Sequence, residues 1–285
     1  MLSVLLSGSR LVVGLHPDPG LAMIIGAFAF ALGASIASFL NVVIWRVPRG
    51  ESIVRPPSHC PKCNAPIRWW QNIPILSWLA LRGRCANCRE PISPRYVIVE
   101  FIGGTLFLSA FLKYASSNLL FLPFAWIWIS LMIVGSFIDF DHKLLPDFVT
   151  VGGMVLGVLC GVLGAVLNAS LADLIWSLGG LALGFSLLWL VRFFGSKAFG
   201  REAMGLGDVF LMGAVGALFG PVAVLVTLII SSVLGSIVGL AMVAFVKTRL
   251  GHFAEIPYGP YICLGCLVWM FYGPGLVSAY LNLFR

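Results

Sequence analysis

Long apolar stretches separated by short polar loops dominate the sequence. A helix needs about 20 mostly apolar residues to cross a bilayer, and eight stretches approach this length. The sixth is short and is separated from the seventh only by Gly220-Pro221, so these two could also form one kinked helix. The predicted spans are residues 20–44, 97–113, 119–139, 148–167, 173–194, 207–220, 222–246 and 259–281. The pattern predicts an all-α polytopic membrane protein.

Composition supports a lipid environment rather than a soluble fold. Of the 285 residues, 60% are hydrophobic and 10% are charged, whereas a soluble domain carries roughly 25% charged residues. The net charge is +7, but half of the basic residues fall in one loop next to a predicted span. We therefore predict the lipid bilayer as a partner and no binding of nucleic acid.

Residues 45–96 form the one long polar segment, which is rich in proline and holds nine of the eighteen Lys and Arg residues. Basic loops stay on the cytoplasmic side of a membrane. Alternating spans then place the N-terminus outside and fifteen of the eighteen basic residues in the cytoplasm. Residues 1–19 are predicted to be a short interfacial or disordered segment, because His16-Pro17-Asp18-Pro19 interrupts the apolar pattern.

Four of the seven cysteines lie in this loop as two Cys-x-x-Cys pairs with 21 residues between them. Two such pairs can present four thiolates to one tetrahedral zinc ion, and four protein ligands leave no position for water. The pattern therefore predicts a structural zinc site, with free thiols or disulfides as the alternative. Its ligands are Cys60, Cys63, Cys85 and Cys88. Cys160, Cys263 and Cys266 lie in apolar spans and are predicted to be buried side chains.

Two aspartates are predicted to meet at the cytoplasmic face. Asp139 ends the third span, and Asp208 closes Gly205-Leu206-Gly207-Asp208 at the start of the sixth. The third span runs inward and the sixth runs outward, so both carboxyl groups lie at the same depth. Two such groups can share one proton: the ionised one deprotonates water, and the protonated one polarises a peptide carbonyl. This is the chemistry of an aspartic protease.

Other interpretations of the acidic residues stay open at this point. Asp208 could be a helix N-cap, and we interpret Asp147 and Asp173 as caps of the fourth and fifth spans. Paired carboxylates within a membrane also serve as relays, which would make the chain a carboxylate-dependent ion or solute transporter. A further alternative is a non-enzymatic assembly factor built around the zinc loop.

Taken together, the motifs resemble those of the type IV prepilin peptidases, the bacterial branch of the GxGD aspartic proteases. The resemblance covers nearly the whole chain after about residue 30. The matching segments are Ser38-Phe39-Leu40-Asn41, Cys60-Pro61-x-Cys63, Asn72-Ile73-Pro74, Leu81-Arg82-Gly83-x-Cys85-x-x-Cys88, Ile92-Ser93-x-Arg95-Tyr96, Ile138-Asp139-x-Asp141-His142, Leu145-Pro146-Asp147, Met204-Gly205-x-Gly207-Asp208 and Ile256-Pro257-Tyr258-Gly259-Pro260-Tyr261.

The resemblance implies a bacterial inner-membrane enzyme with Asp139 and Asp208 as its catalytic pair. Its substrates would be type IV prepilins or type II secretion pseudopilins, whose short basic leader is removed at the cytoplasmic face. Many members also methylate the new N-terminus with S-adenosylmethionine, for which we assign no residues. The implied domains are a first segment and span (1–44), a zinc loop (45–96) and a peptidase core (97–285). Glu51, Glu90 and Glu202 are weak candidates for contacting the basic leader.

Overall fold

The computed structural model describes residue 14, residues 18–245 and residues 257–283. These residues form nine α-helices, of which seven are long, one has 14 residues and one is a five-residue helix in the cysteine loop. The helices are α1 (Pro19–Arg46), α2 (Leu76–Ala80), α3 (Arg95–Tyr114), α4 (Leu122–His142), α5 (Asp147–Leu167), α6 (Ala172–Phe199), α7 (Leu206–Phe219), α8 (Pro221–Phe245) and α9 (Gly259–Asn282). The predicted all-α architecture is confirmed. Most of the predicted N-terminal segment lies outside the described residues.

Seven of the described helices are long and apolar enough to cross a membrane, and they correspond to seven of the eight predicted spans. The exception is α7, the predicted sixth span, which has only 14 residues. At 1.5 Å per residue it is about 21 Å long, less than the roughly 30 Å hydrocarbon core. The sixth apolar stretch is therefore a helix, but too short to span the bilayer unaided.

Gly220 separates α7 from α8 as two helices, so the alternative of one kinked helix is wrong. Its φ of 84° and ψ of 179° lie outside the helical region and favour glycine. A Cβ atom at this position would also collide with the indole nitrogen of Trp176. The chain thus breaks here because a glycine conformation is followed by Pro221, which starts the next helix.

The described residues fall into two compact units, one within residues 12–134 and the other within 135–285. In the first unit, α1 and α3 pack through small residues. A Cβ at Gly33 would lie 2.6 Å from the carbonyl oxygen of Gly103, and a Cβ at Gly103 would overlap Ala37. Small residues let membrane helices approach closely and gain van der Waals contact. The domain boundaries predicted after residues 44 and 96 stay predictions.

In the second unit, the short helix α7 is enclosed by its neighbours. Eleven of its 14 residues are buried. Gly157 of α5 and Gly180 of α6 face its backbone, with no room for a side chain at either position. Ser177 of α6 donates a hydrogen bond to the carbonyl oxygen of Ala217, at 2.7 Å. This enclosure holds α7, and with it Asp208 in its first turn, in a fixed position.

Gly180→Ala is expected to destabilise the second unit, because its Cβ would overlap the Gly216 carbonyl group. Overpacking of this kind costs about 1–3 kcal/mol or more, which corresponds to a fall of roughly 3–12 °C in apparent melting temperature. Gly179→Ala is the matched control: nothing lies within 4 Å of its Cβ, and alanine stabilises a helix by about 0.5–1 kcal/mol relative to glycine. Thermal unfolding in detergent measures both. Equal melting temperatures for the two variants would contradict the described packing.

The predicted helix caps at Asp147 and Asp173 are wrong. The N-cap residues are Pro146 for α5 and Leu171 for α6, and both aspartates lie in the first helical turn. A carboxylate there still interacts favourably with the helix dipole. The Asp173 carboxylate accepts a hydrogen bond from the Asn168 side chain at 2.7 Å, which ties the loop to the helix.

Candidate active site and metal centre

The structure brings Asp139 and Asp208 together within the second unit. Asp139 lies in the last turn of α4, and Asp208 is the third residue of α7. The two intervening helices α5 and α6 reverse the chain direction twice, which returns the start of α7 to the end of α4. Both carboxyl groups are buried, with 6% and 8% of their residue surface exposed. Leu145 lies against Gly207, which precedes Asp208, and against Gly259, which donates a hydrogen bond to Asp139.

Asp208 lies in the first turn of α7. The N-cap of α7 is Gly205, so the alternative of Asp208 as the N-cap is wrong. Instead, the Asp208 carboxylate turns back toward the N-cap residue, and its Oδ2 would lie 3.3 Å from a Cβ at Gly205. A carboxylate in the first turn of a helix interacts favourably with the helix dipole.

The loop before α7 is fastened to the end of α6. The Arg192 guanidinium donates to the carbonyl oxygen of Met204 and, at 2.8 Å, to the Glu202 carboxylate. The Ala203 N–H donates to Ser196 Oγ at 3.1 Å. These bonds fix the turn that leads into Gly205 and Asp208. The sequence carried no signal for this role of Arg192 beyond its basic charge.

Asp139 is held by a residue from a distant part of the chain. The Gly259 N–H, in the first turn of α9, donates to Asp139 Oδ2 at 2.9 Å, and this bond is buried. The two residues are 120 positions apart. Gly259 lies in the Pro257–Tyr261 motif, which was noted for the resemblance but had been given no role. This motif was therefore the sequence feature that could have pointed to the contact with Asp139.

Leu145 packs between the turn that carries Asp208 and the turn that carries Gly259, the hydrogen-bond donor of Asp139. Its Cβ would lie 2.9 Å from a Cβ at Gly207, and its Cδ1 would lie 3.3 Å from a Cβ at Gly259. Glycine at both positions thus allows one leucine side chain to contact the Asp208 turn and the Asp139 donor together. The contact fixes the separation of the two turns by packing.

Two carboxyl groups that lie close together away from water favour holding one proton between them. Adjacent carboxylates removed from water cannot both ionise, because the medium screens their repulsion poorly. One group then serves as an acceptor and the other as a donor at the same site. That combination can activate water and polarise a carbonyl group without a metal ion.

The four loop cysteines come together in the first unit as predicted. The Sγ atoms of Cys60, Cys63, Cys85 and Cys88 all lie within 4.8 Å of one another. Cys60 Sγ and Cys88 Sγ are 3.8 Å apart. Zn–S bonds of about 2.3 Å in a tetrahedron require Sγ–Sγ distances of roughly 3.8 Å, so the four thiols fit a zinc ion.

Each cysteine pair forms the same tight turn. The N–H groups of Cys60 and Cys85 donate to the carbonyl oxygens of Ala65 and Glu90, at 3.0 and 2.8 Å. The N–H groups of Asn64 and Arg89 donate back to the carbonyl oxygens of Cys60 and Cys85. Asn64 and Arg89 both adopt positive φ, at 54° and 63°. The repeated turn points both thiols of a pair toward one centre.

Asn87 supports the cluster from outside. Its side-chain amide lies 3.5 Å from Cys63 Sγ, and its main-chain N–H lies 3.4 Å from Cys85 Sγ. The Asn87 side-chain bond, with a further bond from Ala65, lowers the pKa of the Cys63 thiol to about 6. N–H groups directed at sulfur favour the thiolate, which is the form that binds metal.

The remaining cysteines behave as predicted. Cys160, Cys263 and Cys266 are buried in helices and do not belong to the thiol cluster. His59 is also outside the cluster, because its ring nitrogen bonds to the Pro57 carbonyl at 3.0 Å.

The three acidic candidates for leader binding differ in their surroundings. Glu90 lies 3.7 Å from Lys62, and Glu202 pairs with Arg192 at 2.8 Å. Glu51 is exposed. Exposed ion pairs of this kind contribute little free energy, so either carboxylate could bind a basic leader in place of its present partner. Leader binding by these residues stays a prediction.

Comparison with known proteins identifies the family. Residues 31–114 match the bacterial peptidase A24 N-terminal domain, and residues 126–240 match the type IV leader peptidase family. A Myxococcus xanthus protein named prepilin leader peptidase/N-methyltransferase is 40% identical over 87% of this chain and 73% of its own length.

Two further proteins of that name, from Stutzerimonas stutzeri and Neisseria gonorrhoeae, are 33% and 35% identical. Their matches cover 90% and 81% of this chain, and 94% and 85% of their own lengths. No solved structure shows a significant match. The resemblance inferred from the motifs is thereby confirmed, and the chain belongs to the type IV leader peptidase family.

Proposed function

We propose that this chain is a membrane-embedded aspartic endopeptidase that removes the leader of prepilins or type II secretion pseudopilins. The observation that carries the proposal is the burial of two carboxyl groups, Asp139 and Asp208, at helix ends that Leu145 and Gly259 connect. The family and the names of its relatives support the same activity. Carboxyl groups with only a structural role are normally neutralised by basic partners when buried.

The chemistry follows from one shared proton. The ionised carboxylate takes a proton from water as the water oxygen attacks the carbonyl carbon of the leader peptide bond. The protonated carboxyl group donates a hydrogen bond to the carbonyl oxygen, where negative charge develops. The C–N bond then breaks as a proton passes to the leaving nitrogen. The proton is shared by the pair, so the starting protonation state is assigned to the pair and not to one aspartate.

The proposed location is the inner membrane of a bacterium, with the active site and zinc loop in the cytoplasm. Seven apolar helices and the relatives support a multi-pass inner-membrane protein. The cytoplasmic orientation rests on the excess of Lys and Arg in residues 45–96. In this orientation the pair Asp139 and Asp208, here called the dyad, faces the cytoplasm, where a basic leader is retained.

The thiol cluster would hold a structural zinc ion through Cys60, Cys63, Cys85 and Cys88. The loop has few buried side chains of its own, and Cys60 is the one buried apolar residue described between residues 51 and 92. A loop of this size without a core needs a metal or another crosslink to stay folded. A zinc ion bound by the four thiolates would supply that crosslink.

Methylation of the new N-terminus is the proposed second activity, supported by the names of the relatives. S-adenosylmethionine would supply the methyl group. The described residues form only isolated β-bridges and no strand. They therefore lack the glycine-rich strand-to-helix loop of soluble dinucleotide-type folds, and we assign no residues to the methyl donor.

The proposal predicts that purified protein in detergent cuts a prepilin once, between its leader and its apolar segment. Mass spectrometry of the product identifies the cut, and added S-adenosylmethionine should increase the product mass by one methyl group. The family resemblance implies that the cut follows a glycine, so a matched prepilin in which a bulky residue replaces this glycine is the control and should remain intact. An unprocessed wild-type prepilin would contradict the peptidase proposal.

A further inference from the structure

The donor that orients Asp139 comes from another helix. Gly259 N lies 2.9 Å from Asp139 Oδ2 in a buried bond. Rotation of a carboxyl group about its last carbon–carbon bond is soft, so one fixed donor selects its orientation. The plane of the Asp139 carboxyl group is therefore set by the start of α9 as well as by α4.

Tyr258 holds the main chain that carries this donor. It is the N-cap residue of α9 and immediately precedes Gly259. Its hydroxyl group lies 2.8 Å from Ser231 Oγ and 3.3 Å from Ser232 Oγ, both on α8. Ser231 is completely buried. The hydroxyl contact therefore ties the first turn of α9 to α8 one residue away from the donor.

The space around Gly259 leaves the Asp139 carboxyl group little freedom. A Cβ at Gly259 would lie 2.7 Å from Asp139 Oδ2 and 3.3 Å from Leu145 Cδ1. Gly259 is not among the residues with positive φ, so its backbone also accepts alanine. Gly259→Ala would thus displace the Asp139 carboxyl group without straining the backbone at residue 259.

We propose that Tyr258 and Gly259 are positioning residues for Asp139, with Ser231 as the anchor of Tyr258. The inference rests on the proposed peptidase function. A carboxyl group that exchanges a proton with water and with a second carboxyl group must hold its orientation, because proton transfer requires aligned groups at hydrogen-bonding distance. Loss of the Tyr258 hydroxyl contact therefore slows the chemical step and leaves the affinity for substrate unchanged.

Tyr258→Phe removes only the hydroxyl oxygen, and its expected effect is a roughly ten-fold lower kcat with KM for prepilin unchanged within about two-fold. Ser231→Ala combined with Ser232→Ala should give the same loss. Adding Tyr258→Phe to the serine changes should cost little more, because all three remove one interaction. Tyr272→Phe is the matched control, since this tyrosine on α9 is 68% exposed.

Gly259→Ala tests the contact directly, and we expect a loss of about 10²-fold in kcat from the displaced carboxyl group. Gly275→Ala on the same helix is its control, because nothing lies within 4 Å of that position. The Tyr258→Phe result decides the question if Gly259→Ala does not accumulate as folded protein.

The outcomes separate this inference from the function on which it rests. Wild-type kcat in Tyr258→Phe and in the serine variant, alongside an inactive Asp139→Asn enzyme, would overturn the positioning role and leave the peptidase proposal intact. Cleavage by Asp139→Asn at the wild-type rate would overturn both. A raised KM with unchanged kcat in Tyr258→Phe would also overturn the positioning role, because it would show a contribution to binding alone.

Discussion

Asp139→Asn and Asp208→Asn are each expected to lower the rate of prepilin cleavage by about 10³-fold. Asparagine has nearly the same shape as aspartate but neither accepts the proton of water nor donates a carboxyl proton. The loss should therefore appear in kcat, measured with purified enzyme and prepilin by gel or mass spectrometry. The buried positions of both residues give solvent little chance to replace either group.

Asp147→Asn is the matched control for charge removal at the same end of the bundle. Asp147 is exposed in the first turn of α5 and lies outside the dyad, so its variant should cleave within about two-fold of the wild-type rate. A carboxylate-dependent transporter would show the opposite pattern: impaired flux and intact cleavage in the Asp139 and Asp208 variants. A non-enzymatic assembly factor would be insensitive to both.

Cys60→Ser is expected to release zinc and unfold the cysteine loop. The loop has little apolar core, and metal binding contributes about 10–16 kcal/mol in small zinc domains. Zinc content should fall from about one ion per chain to about none. Amide hydrogen exchange across residues 58–92 should rise strongly in the same variant. Chelation of the wild-type protein should reproduce both effects.

His59→Ala is the control for this experiment, because His59 neighbours Cys60 but lies outside the thiol cluster. Its zinc content should stay at the wild-type level. Asn87→Ala should have an intermediate effect, with zinc affinity about 10–100-fold weaker, since the side chain that bonds Cys63 is lost while the ligands remain. A wild-type protein purified without zinc, with a protected loop, would contradict the metal assignment.

The helices were predictable because the bilayer imposes a length and a polarity on each of them. The hydropathy pattern placed eight helices to within a few residues, and the cysteine spacing predicted the cluster of four thiols. The pattern could not show that α7 is enclosed by its neighbours, because an apolar residue facing lipid and one facing protein look alike in sequence. Nor could it choose the N-caps, since Asp147 and Asp173 fit either the cap or the first turn.

The contacts that orient the site depend on tertiary structure. The bond from Gly259 to Asp139 joins residues 120 positions apart, and no local rule connects them. Glu100, in the first unit, gives a second example of a contact that tertiary structure creates: its carboxylate accepts a hydrogen bond from Ile75 N–H at 2.7 Å. Ile75 has a φ of 64°, a conformation that a β-branched residue adopts only when its surroundings enforce it. The conformational preference of isoleucine alone predicts a negative φ at this position.

Combining both asparagine changes in one protein is the most direct test of whether the two acids work as a unit. Members of a catalytic unit are strongly non-additive, so the Asp139→Asn, Asp208→Asn double variant should retain about the same residual rate as either single variant. A residual rate near the product of the two single losses would show two independent contributions. That result, or wild-type cleavage by either single variant, would contradict the shared-proton dyad.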